Sequence, residues 1–141
     1  IGHNNSRTRE RIDLNITGHS PILIHPSAVV HRTAQLAPGV VIGPNTTIGP
    51  QVRLGRHTHI NGNVFVTRAH LGDFCTVSPG ATICGDVTIG AGCQIGAGAT
   101  ISNLVTINPR VTIGAGAVVL PNFILRSNTT WVGVPAREVV R

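Results

Sequence analysis

One aliphatic residue in every six sets the terms for this chain. Ile24, Val30, Leu36, Ile42, Ile48, Leu54, Ile60 and Val66 are spaced six apart. The step then shortens by one and resumes at Leu71, Val77, Ile83, Ile89, Ile95, Ile101, Ile107, Ile113 and Val119. Every one is Ile, Leu or Val, and chance agreement at a fixed register is on the order of one in a billion. Two positions before each aliphatic stand small or uncharged residues such as Ala28, Thr46, Val64, Cys75, Ala81, Cys93 and Ala117; glycine often follows it, as at Gly43, Gly72, Gly90 and Gly114. A helix needs apolar spacings of three and four, and a regular strand an unbroken spacing of two. This pattern instead describes a short strand and a turn every six residues. Three such strands close a triangular coil of about 18 residues, and successive coils stack at the parallel-strand spacing of roughly 4.8 Å. The expectation is an all-β parallel β-helix of about five coils over residues 22–121. Its aliphatics form interior ladders, each contributing about 1.5–3 kcal/mol before chain entropy is subtracted. The repeat leaves the hand open, because ordinary parallel crossovers are right-handed.

Composition narrows the class. The chain has 141 residues, enough for one domain with a core, with 41% hydrophobic, 11% charged and 3% aromatic residues. That excludes a charge-rich disordered tail and leaves few rings for stacking nucleic-acid bases. No apolar run is long enough to span a bilayer, no signal-peptide pattern opens the chain, and the cytoplasm is the expected location. The net charge of +6 is that of eleven arginines against five acidic residues, and the arginines are dispersed rather than clustered. Scattered charge suits an acidic small molecule better than nucleic acid. There is no methionine, position 1 included, so the expectation is a segment that begins inside a longer protein. Residues 1–21 lie outside the period, with Ser6–Asp13 a possible short helix. Past Pro121 the chain leaves the repeat, and Trp131, Val132 and Val134 are expected to fold back over the open coil, making 122–141 a cap.

The repeat and its flanks resemble the left-handed β-helix acyltransferases of the sialic-acid O-acetyltransferase and nucleotide-sugar N-acetyltransferase type. The matching segments are Ile24–Ala28 at the start, Ser78–Ala81 in the middle, Ile113–Val119 near the end and Val132–Ala136 at the close. This resemblance covers about residues 22–137 and implies a left-handed helix. It further implies that residues 1–21, with Ile1–Asn5, Arg7 and Arg9, are the end of an N-terminal α/β domain that holds a sugar nucleotide. The implied reaction moves an acetyl group from acetyl-CoA, a donor substrate with no metal required, to an amino or hydroxyl group of a sugar. A histidine takes the nucleophile's proton and a backbone N–H stabilises the oxyanion. The implied assembly is a homotrimer with coenzyme A between subunits. Carried over position by position, Gly85 offers the acetyl-contacting amide, Ala97 and Ala115 contact the pantetheine arm, and Asn61 lines the acceptor pocket.

The base departs from that pattern. The family's histidine, two residues past Val66, falls on Arg68 in the stretch Thr67-Arg68-Ala69-His70, which is one residue short. Thr76 stands where a second, CoA-facing histidine is typical. His70 is the first candidate base, since the deletion rotates the side chains that follow. His59 is the second, one coil below Thr76 on the same outward track. On the bland reading His57, His59 and His70 are solvated outward residues, and the chain is a catalytically silent scaffold or binding module.

Other chemistries fit less well. A zinc site like that of the γ-type carbonic anhydrases, which share this fold, needs three histidines, and none follows His70. An ice-binding face needs a threonine ladder on one side, but Thr82, Thr88 and Thr112 fall on different sides. Cys75 and Cys93, 18 apart, should stack in adjacent coils, at a separation that permits a disulfide; in a cytoplasmic chain two thiols are expected instead. Cys84, in a corner beside Gly85, should be more exposed.

Overall fold

The computed structural model describes residues 20–140. Most of the expected N-terminal remnant at 1–21, with Ser6–Asp13, His3 and His19, lies outside the described residues.

Short strands recur along the chain and sort into three sheets. Face A holds β1 (Leu23–Ile24), β4 (Val41–Ile42), β7 (His59–Ile60), β10 (Thr76–Val77), β13 (Gln94–Ile95), β16 (Thr112–Ile113) and β19 (Thr130–Val132). Face B holds β2 (Val29–Val30), β5 (Thr47–Ile48), β8 (Phe65–Val66), β11 (Thr82–Ile83), β14 (Thr100–Ile101) and β17 (Val118–Val119). Face C holds β3 (Gln35–Leu36), β6 (Arg53–Leu54), β9 (Ala69–Leu71), β12 (Val87–Ile89), β15 (Thr106–Ile107) and β18 (Ile124–Leu125). The chain visits A, B and C in turn and returns to A one coil on. This is the expected left-handed parallel β-helix, with about six turns rather than five. The extra turn follows from Leu125 and Trp131, which keep the sixfold spacing after Val119 and pair in register through β18 and β19. Phe123 takes the place of the small residue in that coil, which is what hides the turn in the sequence. It sits partly exposed and edge-on to Trp131, 6.3 Å away. No helix among the described residues is long and apolar enough to cross a membrane.

Inward residues form one continuous core. Ile42, Ile60, Val77, Ile95 and Ile113 stack under face A, and Ile48, Val66, Ile83, Ile101 and Val119 under face B; all are at most 1% exposed. The corners turn through the left-handed region. Asn63 (φ 56°), Asp86 (φ 61°) and Arg110 (φ 61°) are examples, each costing roughly 1–2 kcal/mol against an ordinary conformation. The conformation aims the N–H along the stacking axis; Arg110, for instance, donates to the Ala91 carbonyl at 2.9 Å. The single short step is absorbed in the B–C corner. His70 pairs with Arg53 on one side and with Thr88 on the other, so the ladder stays in register across it.

One buried column shows how the corners close. Thr58 Oγ1 donates to the Gly72 carbonyl at 2.8 Å, Cys75 Sγ to Gly90 at 3.1 Å and Cys93 Sγ to Asn108 at 3.2 Å. The two cysteines therefore act as threonine substitutes. The Cys75 thiol is held well above its ordinary range, first by the neighbouring Cys93 sulfur and then by burial, so it stays protonated and is no nucleophile.

At the far end β20 (Arg137–Glu138) turns back antiparallel against β19. Trp131 packs on the core and Ala136 is 3% exposed, its N–H donating to Val118. Trp131 and Ala136 cover this end; of the three residues expected there, Val132 and Val134 are instead 45% and 73% exposed. The difference arises because Trp131 takes the inward place in the ladder, leaving its neighbour to point outward.

Ile95→Ala is expected to cost about 2–5 kcal/mol through lost burial and a cavity between coils. Cys93→Thr, which keeps the donor, should stay within about 1 kcal/mol of the parent. Urea midpoints for the two variants check the contrast. At this end Arg126 donates to Glu138 at 3.2 and 2.9 Å and holds its carboxyl below the usual range. A depressed folded pKa gives a contribution that is present above the unfolded value, about 4.3, and lost as pH falls through the folded one. Emission from Trp131, the one tryptophan, should therefore shift reversibly below about pH 4, and Glu138→Gln should remove that dependence.

Candidate active site

The shortened B–C corner gathers one group of residues. Arg68, at φ 41°, donates its N–H to Pro50 at 3.0 Å and accepts from the Asp86 N–H at 2.7 Å. Its side chain runs along the stacking axis and lies against Gly85, where any Cβ would overlap the guanidinium. Asp86 is 3.7 Å from Arg68 Nη2, beyond hydrogen-bond range, and the two side chains are 47% and 58% exposed; such a pair is worth at most about 1 kcal/mol. Gly85 itself is buried. Its carbonyl accepts from Leu104 at 3.2 Å, while its N–H meets no acceptor among the described residues. A spare amide in a rigid corner is the kind of donor that stabilises an oxyanion. His70, in β9, is exposed on the adjoining face C, and Cys84 is half-buried beside Gly85.

A second group lies on face A and its corner with face B. His59 is half-buried and pairs with Thr76, which pairs in turn with Gln94, as the outward track requires. Thr76 is 8% exposed. The amide of Asn61 donates from Nδ2 to the Val77 carbonyl at 2.8 Å, alongside its own backbone N–H at 2.9 Å. Asn108 repeats this on Leu125, so Asn61 closes a corner wherever else its carbonyl oxygen points. Ala97 and Ala115 are exposed at successive levels of the A–B corner, where Gly116 N–H donates to Ala97 at 2.8 Å.

Within one chain face B separates these groups. Arg68, His70 and Gly85 stand at one edge, and His59, Asn61, Thr76, Ala97 and Ala115 at the other. His57 belongs to neither. On the bland reading it is solvated, yet it is 2% exposed. At φ 54° in the C–A corner its ring turns into the space left by the missing Cβ of Gly39 and stacks on Phe74, with centroids 5.7 Å apart and planes 4° from parallel. Among the described residues no three His, Cys, Asp or Glu side chains form a metal-binding group. The sequence reading passed over Arg53. Counting 17 back from His70 across the short corner, rather than 18, puts it beside that histidine.

A sixfold period with short parallel ladders on three faces defines a hexapeptide-repeat β-helix. The bacterial transferase hexapeptide family matches residues 21–56, 33–68 and 68–103, and the hexapeptide repeat of succinyl-transferase matches 86–121; the chain belongs to the hexapeptide-repeat transferase family. The acetyltransferase domain of PglB from Neisseria gonorrhoeae superposes with a TM-score of 0.93 at 30% identity, covering 97% of this chain and 68% of that one. The same domain has been solved in complex with acetyl coenzyme A. A His-to-Ala variant of GDP-perosamine N-acetyltransferase from Caulobacter crescentus, in complex with CoA and GDP-perosamine, gives 0.92 at 27% identity, covering 99% and 67%. WeeI from Acinetobacter baumannii gives 0.80 at 25%, covering 99% and 69%. A comparison with curated proteins gave no match.

The corner-closing role of Asn61 predicts that Asn61→Ala loses about 1 kcal/mol of stability without any ligand present. An unchanged denaturation midpoint would free Asn61 from that role.

Proposed function

We propose that this chain moves an acetyl group from acetyl-CoA to an amino or hydroxyl group of a nucleotide-linked sugar, working as a cytoplasmic homotrimer. The observation that carries the reading is the match over 97% of the chain to an acetyltransferase domain that has been solved with acetyl coenzyme A. Sugar-nucleotide acceptors enter by analogy with the GDP-perosamine complex. In this reading residues 1–21 belong to the part that holds the sugar nucleotide, the catalytic β-helix runs from residue 22 through β19, and β20 with the residues after it forms the cap.

The division of the candidate residues across face B supports a site between subunits. The B–C corner of one protomer faces the A–B corner of its neighbour across the groove. Gly85 N–H stabilises the tetrahedral oxyanion, Ala97 and Ala115 meet the pantetheine arm, and Thr76 borders it. His70 takes the proton of the attacking amine or hydroxyl as it adds to the thioester carbonyl, and coenzyme A leaves as the thiol. The transfer is direct, with no acyl-enzyme. His59, less exposed and on face A, is the second candidate base, and Asn61 and Arg68 border the acceptor. One observation favours a second reading, a silent scaffold: the Arg68 guanidinium already lies against Gly85, where the acetyl group has to approach.

Calorimetry with acetyl-CoA tests both. Saturable binding that Gly85→Trp abolishes in a protein still folded and trimeric is expected, and no binding by an intact trimer would sink the donor assignment. With nucleotide-linked amino sugars as acceptors, His70→Asn should lower turnover about 10²–10⁴-fold and leave acetyl-CoA affinity unchanged. Binding without turnover across acceptors leaves the scaffold.

A further inference from the structure

We propose that face C carries an anion subsite centred on Arg53 that holds the diphosphate of the acceptor beside His70. The acceptor's identity rests on the function proposed above; the anion site does not. Arg53 is exposed in β6, between Gln35 and His70 on one outward track. Neighbours on such a track stand about 4.8 Å apart. Two hollows flank this arginine. One, of about 450 Å³, is lined by Thr33, Gln35, Gln51, Val52, Arg53 and His70. The other, of about 390 Å³, shares Gln35 and Arg53 and reaches Gly55, Gly72 and Asp73.

Among the described residues the nearby carboxylates are engaged elsewhere. Asp73 turns its Oδ1 to the backbone N–H of Arg56 at 2.7 Å. Asp86 sits in the B–C corner against Arg68. Arg53 has no ion pair or side-chain hydrogen bond among the described residues, whereas Arg56 and Arg68 both have partners. Thr33 Oγ1 is taken by His31 Nδ1 and by the Gln51 N–H, so it shapes the hollow rather than binding in it. The free donors are therefore the Arg53 fork and the amides of Gln35 and Gln51. A guanidinium fork pairs two anionic oxygens at once, and hollows on both sides of it suit an anion with oxygens on two linked centres. The rim residue is His70. A diphosphate on Arg53 therefore holds whatever it carries next to an imidazole on the neighbouring strand.

Titration of the full chain with inorganic pyrophosphate, followed by NMR at the Arg53 Nε–H and the His70 ring, tests the site. Saturable shifts at both are expected, weakened about tenfold or more by Arg53→Gln and unchanged by Arg110→Gln in the C–A corner. Excess CoA should not displace the pyrophosphate. Absence of saturable shifts, or equal weakening by both substitutions, which marks diffuse charge, would overturn the subsite. Displacement by CoA but not by dephospho-CoA would overturn the acceptor assignment and give the site to the donor's 3′-phosphate. An acetyl-CoA titration of the same sample separates the two claims. Acetyl-CoA binding without pyrophosphate binding removes the subsite alone, and the converse removes the acetyl-transfer reading alone.

Discussion

In-register stacking of one coil on the next is the constraint that everything else obeys. Each inward aliphatic sits on a residue of the same kind one coil below, and the backbone hydrogen bonds run along the stacking axis. Stability is therefore local and nearly additive, while geometry is global, because a side chain's face is fixed by its place in an 18-residue count. A slip of one residue inside a strand would turn every later aliphatic outward. The one slip this chain contains is confined to a corner, where left-handed backbone at Arg68 takes up the missing residue and β9 meets β6 and β12 in register.

That confinement has a chemical consequence. Corners are where some backbone amides, such as that of Gly85, fall outside the ladder and where glycine permits close approach, so a β-helix offers spare donors there. The short corner puts Arg68 against Gly85. It does not rotate the strand that follows: His70 keeps the outward place before Leu71, beside Arg53 and Thr88, that a full-length corner would also give it.

Periodicity made the ladder legible because a buried aliphatic has few substitutes. The aliphatics from Ile42 to Val119 could be assigned to the interior from spacing alone, and Cys75 and Cys93 to adjacent coils; Ile24, expected in the same ladder, lies in the first described coil and is 44% exposed. Corner side chains were less legible, since spacing says which corner a residue occupies and not which way its side chain leaves. His57 looked like an outward histidine and is buried on Phe74, which only the missing Cβ of Gly39 allows. For Asn61 spacing did not show that its Nδ2 closes the corner on the Val77 carbonyl. The sixth turn was hidden by one large residue, Phe123, at a position where small ones are the rule. The partition of the candidate site was legible only in part. His59 with Thr76 followed from the 18-residue count, but Arg53 beside His70 required reading that count through the slip.

The same arithmetic bears on the proposal of a site between subunits. A triangular prism is convex at every edge, and among the described residues its interior is filled with aliphatics. In that proposal the concavity comes from two prisms meeting, and the residues matched to the donor lie at the two edges of face B. Face B itself offers Val29 and Phe65, both exposed, with Thr47, Thr82, Thr100 and Val118 between and beyond them and no charged residue on its outward track. An uncharged flat face costs little to desolvate against a neighbour. Face C carries Arg53 and His70, both exposed. The chain thus separates a face suited to contact from a face suited to an anionic ligand, and the corner between them holds Gly85.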